Sequence, residues 1–186
     1  MAVKTFTTGE VLTSADTNTY LNNGGLVYVA GAAPSAVSTV SLSNILTADY
    51  QNYLVAVSVT GTANTQIRIK LRNGTTDKSS NYYWGAFYFD MVGGGALNEE
   101  GSGGSVTTGI RIAANNTTGI STAFVTLGNP FTTGRTTFSA QSQTSEAYMR
   151  MFSGFQDENY SANGVTVTVD SGTMTGNVRV YGYRQA

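Results

Sequence analysis

At 186 residues the chain is long enough to bury a full hydrophobic core, and one domain with a short appendage is the default organisation. Its formal charge of -1 comes from 10 basic and 11 acidic residues with no block of like sign, which excludes the electrostatic footprint that phosphate backbones or anionic membrane surfaces require. With no cysteine and no histidine, disulfide frameworks, thiolate chemistry, serine triads and most zinc ligand sets are excluded together.

The first 25 residues read as a separate device. An extended arm, 3–12, leads into Thr13-Ser14-Ala15-Asp16, which has the Ser/Thr-x-x-Asp/Glu form of a capping box. A short helix over 14–22 is predicted to follow, with Gly24 as its left-handed C-terminal cap and Gly24-Gly25 as a joint. A helix of that length is unstable in isolation, so it needs a surface to fold against. Phe6, Val11, Leu12, Tyr20 and Leu21 are the apolar residues expected to make that contact.

From residue 26 to 186 the pattern is β. Leu26-Val27-Tyr28-Val29-Ala30 is a compact strand run, and 38–43 alternates again. Asn44-Ile45-Leu46-Thr47-Ala48-Asp49-Tyr50, with Thr47 as a cap, predicts one turn of helix entering a strand at 53–60. That strand puts Tyr53, Val55, Val57 and Val59 on one face. In 65–72, Ile67, Ile69 and Leu71 point inward while Arg68, Lys70 and Arg72 face water, the mark of a half-buried antiparallel strand. Asn73-Gly74 then supplies a turn signal.

Residues 81–92 form an aromatic strand that is apolar on both faces. Tyr83, Phe87, Phe89 and Met91 share one face, and Tyr82, Trp84, Ala86 and Tyr88 the other. A glycine-rich stretch, 93–105, reads as a loop carrying Glu99-Glu100. Strands are predicted again at 106–113, 120–127, 135–142, 147–155, 165–171 and 177–184. Asn163-Gly164, Ser171-Gly172 and Thr175-Gly176 are read as hairpin turns among the last three. Some nine or ten short strands with one helix predict an all-β antiparallel sandwich, jelly-roll-like, behind a short N-terminal arm and helix.

Only 11% of residues are charged, against roughly 25% in ordinary globular proteins, and regular apolar runs argue against disorder. A surface partly covered by copies of the same chain is the expected account of that deficit, with a lightly charged monomer as the alternative. No apolar run is long enough to span a membrane and no basic-then-apolar leader opens the chain, so neither membrane insertion nor an export signal is expected.

Chemistry is sparse. Paired carboxylates could hydrolyse a glycosidic bond, but Glu99-Glu100 and Asp157-Glu158 are sequence neighbours whose side chains diverge on an extended chain. The Asp157 to Gly164 stretch fails the calcium-loop pattern, with Ala162 where glycine belongs and Thr168 where the bidentate glutamate belongs. No metal site, cofactor or catalytic residue is expected. The one constellation suited to a ligand is Tyr82, Trp84 and Tyr88 with Asp90 on the same face. Rings there could stack on a surface glycan and Asp90 could accept its hydroxyls, but packing on the core or a neighbouring subunit is the leading expectation for the face.

Lys4-Thr5-Phe6-Thr7-Thr8-Gly9-Glu10-Val11-Leu12-Thr13-Ser14-Ala15-Asp16-Thr17-Asn18-Thr19-Tyr20-Leu21 resembles the opening of many tailed-bacteriophage structural proteins. Ser171-Gly172-Thr173-Met174-Thr175-Gly176 and Val180-Tyr181-Gly182-Tyr183-Arg184 resemble endings seen among phages of marine and freshwater bacteria, cyanophages included. The Asn44 to Tyr53 segment also fits, and together these motifs cover about a fifth of the chain; the middle otherwise carries only a β-pattern. The resemblance implies a non-enzymatic virion protein made without a signal peptide, whose N-terminal peptide docks on other virion proteins and whose sandwich is displayed outward as a homotrimer. A tail-fibre or minor tail protein for host attachment is the leading expectation, a head-decoration (cement) protein the alternative, and a carbohydrate-binding module a third.

Overall fold

The computed structural model describes residues 7–11, 13, 25–91, 95, 97–102, 104–115, 117, 119–144 and 148–184. Thirteen strands are formed and no helix occurs among the described residues. They are β1 (Leu26–Ala32), β2 (Thr39–Leu42), β3 (Tyr50–Gly61), β4 (Thr65–Asn73), β5 (Thr76–Asp77), β6 (Tyr82–Asp90), β7 (Leu97–Gly101), β8 (Ile110–Asn115), β9 (Ser121–Gly128), β10 (Gly134–Thr144), β11 (Tyr148–Tyr160), β12 (Gly164–Val169) and β13 (Met174–Arg184).

All pairings are antiparallel, and the strands form the expected two-sheet sandwich. Eight lie in the order β1-β13-β3-β9-β10-β11-β6-β7; the other sheet runs β2-β12-β4-β5, with β8 also on β4. The alternation read from the sequence decides what is inside. Val55, Val57 and Val59 of β3 and Val125 and Leu127 of β9 face Ile67, Ile69 and Leu71 of β4, Ile110 and Ile112 of β8 and Val165 and Val167 of β12. Each such side chain, removed from water, contributes about 1.5–3 kcal/mol.

Several local expectations are corrected. Residues 44–50 hold no helical turn, because the Tyr53 side chain and a distant backbone carbonyl offer their backbone groups other partners. The Tyr53 hydroxyl accepts from the Thr47 N–H at 2.6 Å and donates to the Thr47 carbonyl at 2.9 Å, while the Ile45 and Leu46 N–H groups donate to the Asn163 carbonyl. Arg72 does not face water. Its guanidinium is buried, donating to Thr166 Oγ1 at 2.8 Å and the Thr75 carbonyl at 2.6 Å and lying 3.2 Å from the Asp77 carboxylate.

The glycine-rich stretch is not a plain loop, since β7 within it pairs with β6 from Gly85↔Gly101 to Phe89↔Leu97. Asn163-Gly164 and Ser171-Gly172 make no hairpins either. The first joins β11 of the large sheet to β12 of the small one, and the second returns the chain to β13 of the large sheet. Thr175-Gly176 lies inside β13 and not at a turn. Asn73-Gly74 does turn as expected, into β5, with Gly74 at φ +59. The predicted helix over 14–22 lies outside the described residues.

Candidate functional site

Val11 follows a turn in which the Glu10 N–H donates to the Thr7 carbonyl at 3.0 Å and the Thr7 N–H to the Glu10 carboxylate at 3.1 Å. Its side chain is exposed, available to a partner surface. Phe6, Leu12, Tyr20 and Leu21 lie outside the described residues.

On β6 the period of two places Tyr82, Trp84, Tyr88 and Asp90 on one face, as expected, and that face is turned toward the interior of the sandwich. Tyr82 is completely buried. Its hydroxyl accepts from the Leu71 N–H of β4 at 2.9 Å and donates to the Lys78 carbonyl at 3.2 Å, so a side chain of the large sheet completes the backbone bonding of the small one. Burial pushes its ionisation well above the ordinary tyrosine range. Trp84 leans on Phe152 with ring centroids 6.2 Å apart and packs against the core. Tyr88 meets Tyr148 edge-on at 6.1 Å, and the Arg150 guanidinium sits 5.1 Å from the Tyr88 ring centre. Asp90 is half-buried at the end of the same row. Tyr82 thus joins the two sheets and, with no exposed surface, cannot touch an external ligand, while Trp84 and Tyr88 brace β6 against β11 within the large sheet.

The carboxylate pairs are both on strands, with the two members of each on opposite faces. Glu100 pairs with Arg111 of β8, whose guanidinium is drawn below its ordinary range by burial and then by Arg150. Glu158 accepts from the Ser80 hydroxyl and lies 3.0 Å from Lys78 Nζ; that hydroxyl bond, with Lys78, outweighs partial burial and holds its carboxyl below the usual range. Asp157 is gripped by Arg135 in two bonds of 3.1 Å. No group of three or more carboxylate, imidazole or thiol ligands converges among the described residues.

The outer face of the large sheet has a different organisation. Register aligns Phe87, Met151, Gln141 and Phe124 in a row across β6, β11, β10 and β9. The next row holds only small residues: Gly101, Gly85, Ser153, Ser139 and Thr126, across β7, β6, β11, β10 and β9. Beyond it stand Tyr83, Phe155 and Thr137. A low row between two tall ones is a trough running across the strands. It comprises two depressions of about 770 and 600 Å³ that share Gly85, Ser139 and Ser153. Five strands spaced about 4.8 Å apart give it a length of roughly 19 Å. Volumes of this order suit small-molecule sites.

One wall of the trough is laminated. Tyr83 and Phe155 stack with centroids 5.0 Å apart and planes 23° from parallel, and the Arg135 guanidinium lies 4.2 Å from the Phe155 ring centre while held by Asp157. The other wall is mainly apolar: Phe87, Met151 and Phe124 are each more than half exposed, with Gln141 between the last two. Sequence reasoning grouped Tyr83 with Phe87 and Phe89 but passed over their face. The available signal lay in β10, where Thr137, Ser139, Gln141 and Gln143 alternate with the buried Thr136, Phe138, Ala140 and Ser142 and so mark the solvent side.

Set against known proteins, the chain matches no family model and no curated protein.

Proposed function

We propose that the chain is a non-catalytic structural protein of a tailed-phage virion, of tail-fibre or minor tail type. In this reading residues 1–25 dock on the particle and the sandwich, as a homotrimer, presents its large sheet to the host surface. The observation that carries it is the outer face just described, where Phe87, Phe124 and Met151 stand exposed around an unfilled trough. Exposed apolar side chains grouped on one face mark a recognition surface, whereas scattered single ones need no explanation. The opening Lys4 to Leu21 motif supports the virion assignment, and the turn at Thr7 to Glu10 leaves Val11 free to engage a particle protein.

The test is incorporation. Phage assembled with a chain lacking residues 1–25 should carry little or none of it, while the shortened chain folds and self-associates. Normal incorporation would sink the anchor.

A head-decoration role is favoured by a separate feature. Both margins of the large sheet expose apolar residues, Leu26, Tyr28 and Tyr183 at the β1 side and Phe89, Met91 and Leu97 at the β7 side. A cement protein bridging two neighbours needs two such margins. Labelled particles distinguish the readings: decoration covers the head in many copies, a fibre marks the tail in few.

A further inference from the structure

We infer that the trough across the large sheet is a binding site for a neutral oligosaccharide lying perpendicular to the strands. The inference rests on the outer face being the displayed one and assigns that face a ligand class.

The emptiness of the trough is not imposed by the fold. A Cβ built on Gly85 would meet nothing nearer than the Glu100 carbonyl oxygen at 3.9 Å, and one on Gly101 nothing nearer than the Trp84 carbonyl oxygen at 3.5 Å. Neither glycine has a left-handed backbone. Gly154, on the strand beside Gly85, is different: a Cβ there would strike the Tyr83 carbonyl and stand 3.0 Å from Trp84 Cα. Packing therefore demands a glycine at 154 and tolerates side chains at 85 and 101. The floor has room that the chain itself does not need.

The lining selects the occupant. Ser139, Ser153, Thr126 and Thr137 line it with hydroxyl residues, each able to donate one hydrogen bond and accept others. Sugars carry the same groups at their edges, between apolar C–H faces that fit against aromatic and thioether side chains. The Tyr83–Phe155 wall and Phe87 with Met151 supply those apolar surfaces. The wall is stiffened by the Arg135–Asp157 pair, so little ordering is required when a ligand arrives.

Charge narrows the class further. The charged residues lining the depressions are Glu99 and Glu100, the second paired with Arg111, and the Arg135 charge beside Phe155 is offset by Asp157. An anionic ligand would meet the Glu99 carboxylate at the β7 end, and no lysine or arginine is among the described residues lining either depression. A second copy of the chain is also a poor fit, because serine is depleted in protein–protein interfaces and serine forms the centre of this floor.

The full chain, its Gly85→Leu and Ser153→Trp variants and a Tyr83→Ala variant should be titrated calorimetrically with short oligosaccharides of glucose, mannose, galactose and N-acetylglucosamine, with sialylated and sulfated ones alongside. At least one neutral series should bind in the micromolar to millimolar range. Each variant should weaken it by about tenfold or more, a loss of about 1.4 kcal/mol, with melting temperature and sedimentation unchanged for Gly85→Leu. The inference is overturned if no neutral series binds at millimolar concentration, if sialylated or sulfated ones bind more tightly, or if Gly85→Leu binds like the parent. It is equally overturned if Gly85→Leu dissociates the oligomer, which would make the trough the seat of a second copy. Incorporation of Gly85→Leu into particles reports on the virion reading alone, so the two ideas fail separately.

Discussion

Tyr82→Phe removes one oxygen from the centre of the sandwich, and its consequence can be worked out from the bonds around it. The phenolic hydroxyl is the partner of the Leu71 N–H at 2.9 Å and of the Lys78 carbonyl at 3.2 Å, in a side chain with no exposed surface. The ring and its contact with Phe138, 6.3 Å between centroids, survive the change. What is lost is satisfaction of a buried N–H, which costs about 1–3 kcal/mol. For a chain of this size that lowers the melting temperature by roughly 2–12 °C. The alkaline limb provides a second readout. Burial raises the hydroxyl's ionisation above the ordinary 10.0, so the unfolded chain releases that proton first. The protonated hydroxyl's contribution is complete below the ordinary value and is lost as pH climbs from there toward the raised one. Wild type minus variant should therefore decline above pH 10 by up to about 1.4 kcal/mol per unit. Urea titrations of both proteins across that range measure it. If Tyr82→Phe melts within about 1 °C of the parent and instead abolishes binding to cells or saccharides, the inner face of β6 has been assigned the wrong side.

Two further outcomes follow from local geometry. Glu158→Gln should lower stability at neutral pH, because the Ser80 hydroxyl and Lys78 hold the carboxylate in its charged form. That contribution is present above the ordinary value of 4.5 and fades as pH falls below it through the lowered one, so the difference in urea midpoint from wild type should shrink on acidification; a pH-independent difference would refute the role of charge. Gly154→Ala, forced against the Tyr83 carbonyl, should cost about 1–3 kcal/mol, whereas Gly85→Ala should stay within about 0.5 kcal/mol. Equal melting shifts for the two would mean that the trough floor is packed after all.

The sandwich itself was legible because strand alternation is a strong, local signal. Ile67, Ile69 and Leu71, and Val55, Val57 and Val59, point where the period of two sends them. Turn dipeptides were less informative. Asn163-Gly164 has the composition of a hairpin, yet neither residue has a positive φ. Asn163 instead accepts on its carbonyl from Ile45 and Leu46 and on its side chain from Gly74, and Gly164 is small because the Leu42 carbonyl and Ser43 Cα press against it. Both residue types served a crossing between sheets. A local signal reports that the chain can bend and says nothing about which sheet receives it. Arg72 was misread for a related reason: its partners Asp77 and Thr166 come from other strands, and only their presence makes a buried guanidinium tolerable.

The candidate site shows where period-two reasoning ends. On a strand with one apolar face, alternation names the buried side. On β6 both faces are aromatic, so it sorts Tyr82, Trp84 and Tyr88 from Tyr83, Phe87 and Phe89 without saying which set is inside. The deciding information is carried by the partners in register. Tyr83 lies opposite Phe155, and Phe155 opposite Thr137, on a strand whose alternate residues include the buried Phe138 and Ala140. The polar alternation of β10 thus fixes the orientation of β11, and β11 that of β6, two pairings away. An outward row with Gly85, Ser153 and Ser139 in register follows only once those pairings are known, because no one strand contains more than one of the three. The trough is a property of the sheet, and a search for binding residues confined to the most aromatic strand could find its wall but not its floor.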